Sequence, residues 1–239
     1  MFRAAAILFT LIVGCTTVQA TEWNGLFIAG DNSIEAFDNS QQALTEIFTG
    51  MGLATSATRF TATQSVAKKN REIKLLSMDR LSEVASHALA GEGQGCLIHL
   101  SSHGSEDYGV YLAMDGGTYL EPAHLVELLD AVCGDRPTVV LVSACYSGQF
   151  ITDAIKGPNR IILTAARADR PSFGCSASDI YTYWDGCLID ELPRSKTWSR
   201  LYDNVSACIG AKEATIDDAL PSLPQAWFGE NTRGWRILN

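Results

Sequence analysis

The 239-residue sequence is short of positive charge: 18 lysines and arginines stand against 27 aspartates and glutamates, a formal net charge of −9. Lys68 and Lys69 are the only adjacent lysines. A nucleic-acid binder needs a basic face to meet phosphates, so this class is excluded. Long apolar runs are missing too. The stretch Ala4 to Gly14 falls short of the roughly 20 residues that span a bilayer. No C-x-x-C pair occurs, which argues against a thioredoxin-type redox role. There is no internal repeat, low-complexity segment or linker, so one domain is the simplest reading.

What is present describes a globular chain with a substantial core, at 46% hydrophobic and 19% charged residues. The N-terminus reads as an export signal over residues 1–20. Arg3 gives the positive start, Ala4 to Gly14 the apolar stretch, and Val18-Gln19-Ala20 a small-residue cleavage site. A second reading fits the same segment: Ile12-Val13-Gly14-Cys15 has the form of a bacterial lipobox, with a lipid anchor on Cys15. Either way the mature domain, 21–239, is expected in the periplasm or outside the cell. Six further cysteines remain, at 96, 133, 145, 175, 187 and 208. Some are expected to pair in an oxidising compartment. Their connectivity stays open, a Cys175–Cys187 bond being one arrangement that braces the intervening loop.

The hydrophobic pattern alternates between strands and helices. Gly25–Gly30, Arg59–Thr63, Cys96–Ser101, Thr138–Val142 and Arg160–Thr164 read as strands, and 108–120 as a hairpin around Asp115-Gly116-Gly117. Helical stripes run through Leu44, Ile47, Phe48 and Met51, with Asp38, Asn39 or Ser40 as cap. Others run through Leu81, Val84, Ala85 and Ala88 after Asp79, and through Leu125, Leu128, Leu129 and Val132 after Pro122. A last one carries Trp198, Leu201, Tyr202, Val205 and Ile209. The strands are solidly apolar, as in a parallel sheet covered on both faces. The expected fold class is therefore α/β.

Two of these strands end on reactive side chains. Strand 96–101 runs into Ser102-His103-Gly104, and strand 138–142 runs into Ser143-Ala144-Cys145. A crossover helix between them makes them parallel neighbours, about 4.8 Å apart, with both carboxyl ends on one rim. A thiol near its ordinary pKa is mostly protonated at neutral pH, and an adjacent imidazole can take that proton. His103 and Cys145 are thus the candidate dyad. The N–H groups of Gly104 and Cys145 are the candidate oxyanion donors. A lone Cys at a strand end is usually core, and a lone His-Gly usually a turn; the order and equivalent placement of the two raise the signal. Cys96, His99 and His103 also read as C-x-x-H-x-x-x-H. On a strand, however, His99 and His103 stand about 13 Å apart, too far for one zinc ion. No metal site is expected, and His99 is read as a core histidine.

The blocks "LSSHGS" and "SACYSG", with "FIAGDNSIEAFDNSQQAL" before and "TAARADRPSFGC" after, resemble the legumain-like cysteine peptidases, family C13, of the caspase-like group. The likeness covers about 24–190, with "PSLPQAWFG" beyond. It implies a caspase-like three-layer sandwich with a mostly parallel central sheet, endopeptidase or transpeptidase chemistry on a peptide or protein, no cofactor, and His103 and Cys145 as dyad. It also maps pocket positions onto Asp38, Ser143, Ser172 and Asp185. Two of these depart from the family, where Ser143 is typically Glu and Asp38 an Arg. Two carboxylates, Asp38 and Asp185, facing one pocket would favour a basic P1 residue. Helix capping and local hydrogen bonding are equally ordinary fates for these two aspartates. A non-catalytic binding module on the same fold is the competing function.

Overall fold

The computed structural model describes residues 22–77, 81, 83, 89, 95–114 and 116–237. The expected signal, Cys15, Asp115 and most of the helix expected after Asp79 lie outside these residues.

Seven strands form the central sheet: β1 (Trp23–Ala29), β2 (Ala54–Thr61), β3 (Ile73–Leu75), β4 (Gly95–Ser101), β8 (Thr138–Ser143), β9 (Arg160–Thr164) and β10 (Gln225–Phe228), in the order β10-β9-β8-β4-β1-β2-β3. All neighbours are parallel except β10, which runs antiparallel to β9. Three short strands, β5 (Gly104–Ser105), β6 (Gly109–Leu112) and β7 (Thr118–Leu120), make a separate antiparallel sheet. The α-helices that lie wholly within the described residues are α1 (Glu35–Gly50), α2 (Gln64–Lys69), α3 (Pro122–Val132), α4 (Tyr183–Glu191) and α5 (Trp198–Glu213).

Strand alternation sorts the core into two layers. Cys96, Ile98 and Leu100 of β4 and Val140 and Val142 of β8 pack with Leu125 and Leu129 of α3 and with Val110, Leu112 and Leu120 of the small sheet. On the other face, Leu97, Val139 and Leu141 pack with Leu44 and Phe48 of α1, Trp184 and Leu188 of α4, and Trp198, Leu201 and Val205 of α5. This is a three-layer α/β sandwich with a mostly parallel sheet, as expected. Cys187 of α4 is bonded to Cys208 of α5, pinning the two helices, and Cys175 is free; the Cys175–Cys187 pairing does not occur.

Local differences from the sequence pattern have simple causes. Helix α1 begins at Glu35, so Asp38 is inside its first turn rather than its cap. Strand β2 runs from Ala54 to Thr61 rather than from Arg59 to Thr63, because the exposed stretch Thr55–Ala57, paired with β1 through Ser56 and Ala57, carries little apolar signal. The pattern does not announce β3, α2, α4 or β10. Three of them have no more than six residues, and α4 buries the charged Asp185 beside Trp184, Cys187 and Leu188, which interrupts its apolar stripe.

Candidate active site

The register of β4 and β8 sets the geometry. Their last paired residues are Ser101 and Ser143. His103 and Cys145 each lie two residues beyond that pair, so both leave the sheet at one level of one rim. The Ser102 N–H donates to the Ser143 carbonyl at 3.1 Å and extends the pairing past the strand ends. Gly104 then lies directly on the Cys145 main chain: a Cβ there would be 2.0 Å from the Cys145 carbonyl oxygen and 3.0 Å from its nitrogen.

Past Cys145 the chain turns sharply. Tyr146 takes the left-handed conformation (φ 57°) that few non-glycine residues adopt. Its N–H donates to the Arg170 carbonyl at 2.8 Å, the Ser147 hydroxyl accepts the Ala166 N–H at 3.1 Å, and Gly148 abuts Ala168. These contacts strap the segment 166–172 across the cysteine. The Ser172 N–H points at the Cys145 Sγ from 3.2 Å, with the Ser172 carbonyl 3.6 Å away. Burial pushes the Cys145 thiol above its ordinary pKa, opposed by the hydrogen bonds from Ser172 and from its own backbone N–H.

His103 is 40% exposed at its side chain, held edge-on against Phe37 at 5.1 Å. Its Nε2 is 3.8 Å from the Asp31 Oδ2. That is long for a hydrogen bond, but close for a charge on a buried carboxylate. Asp31 is itself fixed by the Ser33 N–H at 2.9 Å. Sequence reasoning missed Asp31. Its signal was its place just past β1, which pairs with β4 in register from Trp23 to Ala29 and so ends on the same rim.

Backbone pairing also orients Gly104. The Tyr111 N–H donates to the His103 carbonyl at 2.9 Å, one residue before the first ladder pair. That pair, Gly104–Val110, is then a non-hydrogen-bonded one. This turns the Gly104 N–H away from β6.

The four expected substrate-contacting residues separate. Ser172 is at the sulfur. Ser143 is sealed in the interior, its hydroxyl sharing a 3.0 Å hydrogen bond with Thr182. Asp185 is wholly buried; its oxygens take the His99 Nε2 at 2.9 Å and the Ser101 hydroxyl at 2.6 Å. Asp38 accepts from Thr61 and Thr63 at 2.6 and 2.5 Å, beside an open cavity lined by Asn32, Glu35, Thr63 and Ser65. The expected pair of carboxylates facing one pocket is thereby corrected. Asp185 is spent beneath the strand ends, where it satisfies His99 and Ser101 on the polar inner face of β4. Burial alone would raise the Asp185 pKa, but the His99 imidazole and the hydrogen bonds from His99, Ser101 and Ser143 outweigh it and hold the carboxyl below its usual range. The buried role expected of His99 is observed, and Cys96 faces the opposite side of the sheet from it.

Caspase-1 from Spodoptera frugiperda superimposes with a TM-score of 0.64 over 95% of this chain and 94% of that one, at 12% identity, a likeness of fold. The ATP-dependent Clp protease proteolytic subunit of Pinus thunbergii is 26% identical over 131 residues, which are 54% of this chain and 63% of that protein, less than two thirds of its length. The model of the Peptidase C13 family matches residues 78–203, more than half of the chain. The chain belongs to the Peptidase C13 family and has a caspase-like fold.

Proposed function

We propose that the chain is a cysteine endopeptidase whose dyad is His103 and Cys145. The observation that carries this reading is the shared level of the two residues beyond the Ser101–Ser143 pair, with Gly104 closed against the Cys145 main chain. His103 takes the proton of the Cys145 thiol as the sulfur attacks the scissile carbonyl. The N–H groups of Gly104 and Cys145 receive the developing oxyanion. The C–N bond breaks, the amine leaves with the proton from His103, and a thioester remains on Cys145. Water, deprotonated by His103, then attacks the thioester; the acid departs and the thiol is restored. Asp31 orients the imidazole through Nε2 and leaves Nδ1 for the sulfur and the leaving amine.

A basic P1 preference is not part of this reading, since Asp185 is already paired with His99. Export of the mature chain is part of it, supported by the signal-like N-terminus and by the Cys187–Cys208 disulfide. The test is cleavage of an internally quenched peptide library by the purified mature chain, beside Cys145→Ala and His103→Ala. Cleavage lost in both variants supports the proposal. Cleavage that survives Cys145→Ala overturns it.

A further inference from the structure

The hairpin after His103 carries an exposed row of tyrosines. Residues paired directly across antiparallel strands share a face of the sheet. Tyr111 is paired with Tyr119, and its N–H donates to the His103 carbonyl. Val110, Leu112 and Leu120 point the other way and are buried. Tyr111 and Tyr119 therefore share the outer face, in a row that starts beside the His103 main chain. Tyr108, in the turn before β6, extends it. The ring centroids are 5.4 Å apart for Tyr111–Tyr119 and 5.5 Å for Tyr108–Tyr119. Tyr108 is 57% exposed and Tyr119 38%.

Cross-strand stacking accounts for Tyr111 and Tyr119 as hairpin stabilisers. It does not account for Tyr108, which sits in a turn with most of its ring in water. Under the peptidase reading His103 delivers a proton to the departing amine, so the leaving half of the substrate lies on the His103 side. The tyrosine row begins beside the His103 main chain.

We infer that Tyr108, Tyr111 and Tyr119 floor a substrate subsite for the leaving-group side of the scissile bond, one that takes an aromatic side chain. Tyr119 is two strands from His103, about 10 Å. An extended peptide covers that distance in about three residues, so the aromatic residue falls at the second or third position after the cut. Tyrosine is well suited to such a floor. It presents a large, rigid face at small entropic cost and offers stacking to an aromatic partner.

This rests on the peptidase reading, and the test keeps the two apart. One set of peptides ends in a coumarin leaving group and has no residues after the cut. A second set varies the three positions after it. The wild-type chain is expected to cleave peptides with Phe, Tyr or Trp at the second or third position about tenfold faster, in kcat/KM, than those with Ser. That ratio should fall to near one in a Tyr108→Ser/Tyr119→Ser double variant and persist in Tyr119→Phe. Because the readout is a ratio within one enzyme, an overall loss of activity does not imitate it. Coumarin peptides cleaved without any aromatic preference in the second set would overturn the subsite alone. Cleavage of neither set would overturn the peptidase reading and the subsite together. A chain that is dimeric in sedimentation, and monomeric as the double variant, would assign the row to a second copy and overturn the proposal.

Discussion

Gly104 faces the Cys145 main chain so closely that a methyl group on it would stand 2.0 Å from the Cys145 carbonyl oxygen. The obstacle is backbone, which no rotamer change can move aside. Gly104→Ala is expected to lower peptidase activity by at least about a hundredfold, since one misplaced donor or a shift of about 1 Å is enough. The same overpacking is expected to cost about 1–3 kcal/mol of stability. Thermal melts and peptide cleavage check both effects. A variant of wild-type activity would mean that this contact does not shape the site.

Asp31 is expected to act on rate rather than on substrate affinity. Asp31→Asn keeps the shape and removes the charge 3.8 Å from the His103 Nε2. A fall in kcat of about tenfold with little change in KM is expected, because the interaction strengthens as the imidazole gains a proton. A change confined to KM would place Asp31 in substrate binding instead.

Much of this arrangement is legible in the sequence. The solid apolar runs ending in His103-Gly104 and Ala144-Cys145 mark both strands and their common rim, because an intervening helix leaves a parallel crossover as the natural connection. Pocket chemistry is not legible. Read locally, Asp185 is a solvated or hydrogen-bonded residue of a helix, whereas its partners, His99 and Ser101, are about 85 residues away in sequence and meet it through the packing of α4 under β4. Asp31 escapes for a related reason: its neighbour His103 is brought by the β1–β4 pairing, which no local pattern announces. The Cys187–Cys208 bond likewise depends on how α4 and α5 pack.

The pH dependence of Cys145 follows from its surroundings. Burial raises its pKa, against the hydrogen bonds from Ser172 and its own backbone N–H, so the protonated thiol is favoured in the free chain. The rate of alkylation by iodoacetamide is therefore expected to climb through about pH 8.5 and beyond, without a plateau at low pH. Under the proposed mechanism His103 is then expected to act as a base during attack and not as the partner of a standing ion pair. A plateau already complete at pH 6 would contradict this.

The buried Asp185–His99 contact leads to a stability prediction. The folded carboxyl is held below its usual pKa, so it contributes stability above about pH 4 that is lost as pH falls through the folded value. Urea unfolding between pH 6 and pH 2 should show a steeper acid loss in wild type than in Asp185→Asn. Asp185→Ala, which leaves His99 and Ser101 without their acceptor, is expected to cost about 3–5 kcal/mol. Equal acid slopes in wild type and Asp185→Asn would mean that this carboxylate does not govern acid stability.

The most direct test of the dyad is covalent trapping. The mature chain is treated with a peptidyl acyloxymethyl ketone carrying a small neutral P1 residue, digested, and mapped by mass spectrometry. The expected result is one adduct per chain on Cys145, absent in Cys145→Ala and formed at least about a hundredfold more slowly in His103→Ala. An unmodified wild-type chain, or an adduct on Cys175 with Cys145 left free, would contradict the assignment.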